Sequence, residues 1–259
     1  MQTSQDYSVQ VGNTSVAYKD AGEGRPLLIL HGWGSSSNSW TKVQGMIAAK
    51  GYRVIVPDLS GFGKTPAPSS AWGVEEYADF VGGFAQKLGV ETFVLLGHSF
   101  GGQIAVQFAA THPEKLEKLV LVASAAVRRT PGLFQKLVAA AAQAMSFVLY
   151  LVPFADLRHN IRSALYMMLR RRDYVRTQGV MRDVFKKVIT QDLTAKFSKI
   201  SMPTLILWGD KDELTPVQDA YLMNELIPNA KLEVIKGGKH ALNFQMPEKL
   251  AQSICSWLQ

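Results

Sequence analysis

Short runs of consecutive apolar residues recur along the chain and alternate with longer segments of helical periodicity. The apolar runs cover residues 27–30, 53–56, 92–96, 119–122, 204–208 and 232–235. Helical patterns cover residues 40–50, 74–88, 102–110, 216–226 and 247–258. Because strands that are buried on both faces read as continuous apolar runs, the alternation predicts an α/β fold with a mostly parallel sheet flanked by helices.

Two parts of the chain depart from this alternation. Residues 9–11 and 15–19 flank Gly12 and Asn13, a pairing that favours a β-hairpin at the start of the chain. Residues 127–200 show no clear strand pattern and predict helices near 137–151, 157–169 and 174–188. We therefore expect a core domain of residues 1–126 and 201–259, with residues 127–200 inserted as a helical cap, since long insertions at the ligand-binding edge often form lids.

The segment Gly-His-Ser-Phe-Gly at residues 97–101 lies between a predicted strand and a predicted helix. In that context the G-x-S-x-G pattern indicates a nucleophile elbow, a sharp turn that lifts a serine hydroxyl clear of the sheet. The tightness of the turn brings the residues two before and two after Ser99 against neighbouring backbone, where glycine fits best. Ser99 is the candidate nucleophile.

An acid and a histidine follow the elbow in the order that a hydrolytic triad of this kind uses. The acid is Asp210 or Asp212, both within residues 209–212, and the histidine is His240. Each comes directly after a predicted strand. Because ligands bind beyond the carboxyl ends of parallel strands, we expect Ser99, the acid and His240 to converge there.

Five motifs in order resemble those of the capped α/β-hydrolase superfamily, and the likeness covers most of the chain outside residues 127–200. They are H-G-W-G at residues 31–34, D-L-S-G-F-G at 58–63, G-H-S-F-G-G at 97–102, G-D-K-D at 209–212 with Pro216, and G-K-H at 238–240. The resemblance implies the α/β-hydrolase fold. It also favours Asp212 over Asp210 as the acid.

The resemblance also implies a role for each candidate residue. Ser99 would attack a carbonyl carbon, His240 would move the proton, and Asp212 would orient the imidazole. The backbone N–H groups of Trp33 and Phe100 would form the oxyanion hole, each lowering the barrier by ~3 kcal/mol. Some relatives place the acid after the preceding strand, but residues 123–126 contain no carboxylate here.

Three aromatic side chains belong to the predicted site, namely Trp33, Phe62 and Phe100. Two interpretations are open for them. They line the pocket for the substrate, or they only pack beside it.

The expected reaction is hydrolysis of a carboxylic ester through an acyl-enzyme, without a metal or an organic cofactor. The same triad opens lactones and thioesters. One alternative is a carbon–carbon bond hydrolase of the meta-cleavage type, although His98 stands where those enzymes commonly have asparagine. Another is a ligand receptor or signalling relative that keeps the triad without turnover. Steady-state turnover of short p-nitrophenyl esters separates an efficient esterase from such a receptor.

Charge is unevenly distributed along the 259 residues. Residues 128–200 carry 14 Lys and Arg against 4 Asp and Glu, a net charge of +10, whereas the rest of the chain has a net charge of −3. The triplet at residues 170–172 either attracts anionic substrates or anionic lipid, or is a solvated helix face. No recognition module for nucleic acid accompanies this charge. The oligomeric state stays open.

Two further features of the sequence concern nucleotide binding and cellular location. The segment Gly-Lys-Thr at residues 63–65 imitates the end of a phosphate-binding loop, but Asp58 replaces the required first glycine and prolines follow at 66 and 68. We therefore expect no nucleotide site. Residues 1–6 lack the features of a secretory signal, and Cys255 is the only cysteine, so we expect a cytoplasmic protein.

Overall fold

The computed structural model describes residues 4–128 and 178–259 of the chain. Within them, eight strands form one sheet. The strands are β1 Gln5–Val11, β2 Thr14–Ala21, β3 Arg25–Leu30, β4 Tyr52–Pro57, β5 Phe93–His98, β6 Leu116–Val122, β7 Thr204–Gly209 and β8 Ala230–Ile235. Each predicted apolar run lies in one of these strands, except that the run at residues 92–96 begins one residue before β5.

The strand order across the sheet is β1-β2-β4-β3-β5-β6-β7-β8. β1 pairs antiparallel with β2, with Val9 opposite Val16, and β2 pairs antiparallel with β4. All other described pairs are parallel. The predicted hairpin and the predicted mostly parallel sheet are both confirmed, and this is the α/β-hydrolase fold.

Helices cover both faces of the sheet. They are α1 Thr41–Ala48, α2 Val74–Lys87, α3 Phe100–Thr111, α4 Val180–Thr190, α5 Val217–Leu226, α6 Leu242–Gln245 and α7 Pro247–Leu258, with short 3₁₀ helices at Ser37–Trp40, Pro113–Lys115 and Thr194–Lys199. The alternation of side chains along β3 shows how the layers form. Leu27 and Ile29 pack in the cluster that includes α1 and α7, and Leu28 and Leu30 in the cluster that includes α2 and α3. Cys255 is a buried member of the first cluster.

Only the last part of the segment predicted as a cap is among the described residues. The helix expected at 174–188 is present as Val180–Thr190 and buries Met181, Val184 and Val188. Its Lys187 Nζ lies 3.0 Å from Glu76 Oε1 on α2, so this end of the segment is tied to the core. The helices predicted at 137–151 and 157–169, and the arginines at 170–172, lie outside the described residues.

Polar groups in and before the segment that imitates a phosphate-binding loop form hydrogen bonds within the fold. The carboxylate of Asp58 accepts hydrogen bonds from the backbone N–H groups of Ser37, at 2.7 Å, and Lys64, at 2.8 Å. The hydroxyl oxygen of Thr65 accepts one from the Ala17 N–H at 3.0 Å. The Lys64 N–H at the end of this segment is therefore bonded to the Asp58 carboxylate.

Across residues 4–128 and 178–259, no helix has the length and apolar character needed to cross a bilayer.

Candidate active site

Ser99 lies at the tight turn between β5 and α3. Its backbone has φ of 53° and ψ of −114°, a conformation that costs free energy for any residue but glycine. A side chain on Gly97 would overlap the carbonyl of Gly101, and one on Gly101 would overlap the carbonyl of Leu30. The glycines of the motif are therefore required by close backbone contact, as the sequence predicts.

Three side chains form a continuous line of hydrogen bonds at the carboxyl ends of the strands. Ser99 Oγ lies 2.9 Å from His240 Nε2, and His240 Nδ1 lies 2.8 Å from Asp212 Oδ2. The Asp212 side chain is fully buried, and that of His240 is 16% exposed. The structure thus brings together the three residues that the sequence singles out, although Ser99 and His240 are 141 positions apart.

Asp212 is held by its own loop as well as by the histidine. Its Oδ1 accepts the backbone N–H groups of Leu214 and Thr215, at 2.8 and 3.0 Å. Burial raises the pKa of this carboxyl, but the hydrogen bonds from His240 and Thr215 and the charge of His240 outweigh burial and bring the pKa below its usual value. Asp212 is therefore ionised at neutral pH.

Asp210, the competing acid by spacing, points elsewhere. Its Oδ1 accepts the backbone N–H of Gly237 at 2.6 Å in the turn after β8. No described contact joins Asp210 to His240. The loop geometry thus separates two carboxylates that the sequence places two residues apart.

Thr215 belongs to the site, and the sequence analysis missed it. Its hydroxyl donates to Asp212 Oδ2 at 2.8 Å and lies 3.2 Å from His240 Nδ1 and 3.3 Å from the carbonyl oxygen of Ala123. The side chain therefore connects the acid, the histidine and the end of β6. Its position directly before Pro216 was the only signal in the sequence.

Two other histidines near the site are buried and support the backbone. His31 Nδ1 donates to the Gly32 carbonyl at 2.8 Å, and its Nε2 accepts the Leu59 N–H at 3.0 Å. His98 Nε2 donates to the carbonyl of His240 at 3.0 Å. Burial lowers the pKa of His31, and burial together with the nearby His240 lowers the pKa of His98 to about 3, so both rings are neutral.

The loop after β3 lies directly over the elbow. A Cβ placed on Gly32 would be 3.3 Å from the Cβ of Ser99. The next residue is Trp33, whose ring centroid is 5.3 Å from that of Phe100, the first residue of α3. The two residues predicted to supply the oxyanion N–H groups are therefore neighbours on either side of the nucleophile's turn.

The three predicted aromatic residues form one packed cluster. Trp33 contacts Phe62, with ring centroids 4.9 Å apart, and also Phe185 of α4, at 5.0 Å. Phe62 and Phe100 are 9% and 3% exposed, so packing accounts for most of their surface. Trp33 is half-buried and keeps some surface free. Phe185 was not among the predicted residues because it lies in residues 127–200, the segment predicted as a cap.

A serine hydroxyl bonded to a histidine, whose other nitrogen is bonded to a buried carboxylate, is the arrangement that nucleophilic catalysis by serine requires. The histidine nitrogen beside Ser99 is placed to remove the hydroxyl proton. Across the described ranges, no three His, Cys, Asp or Glu side chains come together in a cluster able to hold a metal ion.

Comparison with known proteins adds a family. The sequence model of the α/β hydrolase fold family matches residues 25–247, a span that includes Ser99, Asp212 and His240.

Individual relatives carry different names. The chain is 27% identical to a pimeloyl-(acyl-carrier protein) methyl ester esterase of Aeromonas hydrophila, over 93% of this chain and 98% of that protein. It is 26% identical to a putative non-heme chloroperoxidase of Synechocystis, over 94% and 95% of the two chains. Among solved structures, a membrane phospholipase A superposes with a TM-score of 0.77 at 27% identity, over 98% of this chain and 86% of that one.

Proposed function

Because this chain belongs to the α/β hydrolase fold family, and is a hydrolase of that family, we propose that it cleaves carboxylic esters through a covalent acyl-enzyme. The observation that carries the proposal is the line of hydrogen bonds from Ser99 Oγ through His240 to the buried carboxylate of Asp212. Lactones and thioesters fall within the same chemistry, since each presents an acyl carbon and a leaving group.

In the first half of the reaction, Ser99 Oγ attacks the ester carbonyl carbon while His240 Nε2 takes the hydroxyl proton. The tetrahedral intermediate collapses, the bond to the alcohol oxygen breaks, and His240 returns the proton to that oxygen. In the second half, His240 takes a proton from water, the hydroxide attacks the acyl carbon, and the carboxylic acid leaves as Ser99 regains its proton. No net oxidation or reduction occurs.

The other residues stabilise charges that appear during these steps. Asp212, ionised and buried, offsets the positive charge of the His240 imidazolium, and Thr215 keeps the carboxylate oriented. The N–H groups of Trp33 and Phe100 are the proposed donors to the oxyanion, each contributing ~3 kcal/mol.

The names of relatives support an ester as the substrate but do not decide it alone. A methyl ester esterase and a phospholipase A are both named for ester hydrolysis, whereas the chloroperoxidase is not. The choice of an ester therefore combines these esterase names with the serine nucleophile, and the presence of His98 favours it over a carbon–carbon bond substrate.

Residues 127–200 are the proposed cap over this site. Support comes from α4, where Phe185 contacts Trp33 of the oxyanion loop and Met181 lies against Gly61. The C-terminal part of the inserted segment thus borders the aromatic cluster. We propose that the exposed part of Trp33 meets the acyl group of the substrate, with Phe62 and Phe100 packed behind it.

The test compares wild type with Ser99→Ala, using p-nitrophenyl butyrate turnover and covalent labelling by a fluorophosphonate. We expect turnover to fall by at least about 10⁴-fold and labelling to disappear, because the nucleophile is lost. The exposed Ser201 provides the matched control, and Ser201→Ala should behave as wild type. Circular dichroism checks that both variants are folded.

Each contrary result has a distinct meaning. Undiminished labelling of Ser99→Ala would show that another residue is the nucleophile. Labelling of the wild type without turnover of any ester, lactone or thioester would reject ester hydrolysis and leave a ligand-binding relative as the better description.

A further inference from the structure

A surface cleft of about 430 Å³ opens beside the oxyanion loop. Its lining comes from three segments: residues 34–36 with Asn38 and Ser39 form one wall, Gly63 belongs to the turn after β4, and Phe244 belongs to α6. We call this space the serine cleft. Neither the proposed chemical steps nor the five sequence motifs account for its side chains.

The serine cleft lies close to the nucleophile. Gly34 is two residues after Gly32, which packs against Ser99, and two residues of extended chain span only about 7 Å. Phe244, which forms a second wall, comes four residues after His240. The Asn243 side chain donates to the Ser39 carbonyl at 2.9 Å and so joins the two walls. The cleft is therefore built from loops that adjoin those of Ser99 and His240.

The polar groups of the cleft suit a neutral ligand that is rich in hydroxyls. Ser35 Oγ donates to Ser39 Oγ at 2.9 Å, and Ser39 Oγ donates to the Ser36 carbonyl at 2.7 Å, so lone pairs of Ser35 remain to accept. The Ser36 hydroxyl and the Asn38 amide have no hydrogen-bond partner among the described residues. These groups offer both donors and acceptors to a ligand.

The described residues of the cleft also combine an apolar face with uncharged polar groups. Phe244 is 67% exposed, although burial of its ring would be favourable. None of the described lining residues has a charged side chain. The phenyl ring can pack against the C–H face of a polyol while the neighbouring hydroxyl and amide groups bond its hydroxyls. These described residues provide no positive charge for an anionic ligand.

The walls are held in place before any ligand arrives. Asp58, 3% exposed, accepts N–H groups from both the Ser37 turn and the Lys64 turn, so it fixes residues 34–39 relative to Gly63. A preformed site avoids the entropy of ordering loops on binding.

The position of the cleft indicates which half of the ester it takes. The leaving oxygen must face His240 Nε2 to receive its proton, and the wall that carries Phe244 continues from the His240 loop. The aromatic cluster around Trp33 is apolar and suits the acyl group instead. We propose that the serine cleft binds the alcohol half of the ester and that this alcohol is a neutral polyol, a glyceryl or sugar group. This inference rests on the proposed ester hydrolysis.

The first experiment measures kcat and KM for monobutyryl glycerol, 6-O-butyryl glucose and methyl butyrate, which share one acyl group. For the wild type we expect a lower KM for one of the two polyol esters than for methyl butyrate. The ester with the lower KM shows whether the cleft binds a glyceryl or a sugar group. The double variant Asn38→Ala with Phe244→Ala should reduce the polyol-to-methyl ratio of kcat/KM about tenfold, mainly through KM, because a hydrogen-bonding group and an aromatic contact are lost. The matched control is Asn13→Ala with Tyr7→Ala, remote and exposed, which should keep the wild-type ratio.

The second experiment separates binding from catalysis. Saturation-transfer NMR on Ser99→Ala protein with the same polyol esters should show transfer to the polyol protons, and adding the Asn38 and Phe244 changes should remove most of it. Equal transfer in both proteins, or an unchanged kinetic ratio, overturns the cleft assignment. Turnover of no ester by the wild type, together with cleft-dependent transfer, rejects ester hydrolysis but keeps the polyol site.

Discussion

Within the described residues, two combinations of a histidine and a buried aspartate have opposite roles. His31 and Asp58 lie at the ends of β3 and β4, and His240 and Asp212 follow β8 and β7. Counted over the whole residue, Asp58 is 3% exposed and Asp212 is 8% exposed, so burial does not distinguish the two aspartates. The difference is in their partners.

In the first pair every described hydrogen bond goes to the backbone. His31 bonds the Gly32 carbonyl and the Leu59 N–H, and Asp58 accepts two backbone N–H groups. In the second pair the histidine bonds side chains only, and the line ends on the hydroxyl of Ser99. A histidine held by the backbone on both nitrogens fixes a loop, whereas one with a hydroxyl on its free nitrogen can move a proton. We therefore expect changes in the first pair to reduce stability and changes in the second to reduce activity.

The strongest test of this difference is Asp212→Asn. We expect kcat for methyl butyrate to fall by about 10⁴-fold, because the amide fails to fix the His240 tautomer or to balance its positive charge. Asp210→Asn, two residues away, is the control and should change kcat by less than about threefold, since Asp210 bonds only the turn at Gly237. A larger loss in Asp210→Asn than in Asp212→Asn would contradict the assignment of the acid.

The counterpart in the structural pair is Asp58→Ala. The N–H groups of Ser37 and Lys64 lose their acceptor, so we expect the free energy of unfolding, measured with urea, to fall by about 2–4 kcal/mol. Asp58→Asn keeps one acceptor oxygen and should lose less. For both variants kcat for methyl butyrate should decrease by less than about tenfold. A catalytic defect as large as that of Asp212→Asn, in a stable protein, would remove the distinction between the two pairs.

The smallest effect is expected at Thr215, which supports the acid without contacting the reacting atoms. Thr215→Val keeps the shape and removes the hydroxyl bond to Asp212 Oδ2, so kcat should fall about 3- to 10-fold with KM nearly unchanged. The pKa of Asp212 should move up toward its usual value, because a bond that stabilises the charged form is lost. Thr215→Ser restores the hydroxyl and should recover most of kcat. Failure of serine to rescue would assign Thr215 a packing role only.

Much of the fold and the main candidate residues could be predicted from the sequence, because the signals are local. Continuous apolar runs indicate strands buried on both faces, and the glycines at 97 and 101 reflect contacts within a single turn. The order of Ser99, the acid and His240 also follows from the chain, since each comes directly after a strand of a parallel sheet. These statements depend on residues a few positions apart.

The tertiary structure decided what depends on contacts between distant segments. In the structure Asp212 bonds His240 and Asp210 bonds Gly237, because the loop after β7 turns between the two aspartates. It brought Thr215 into hydrogen-bond contact with Asp212, and it placed Phe185, from the segment predicted as a cap, against Trp33. Hydrogen bonds require atoms within about 3 Å in a suitable direction, and residue spacing along the chain does not specify such directions between loops. The sequence alone therefore determined which elements form and which residue types meet at the sheet edge, whereas the packing of separate loops decided which of those side chains touch.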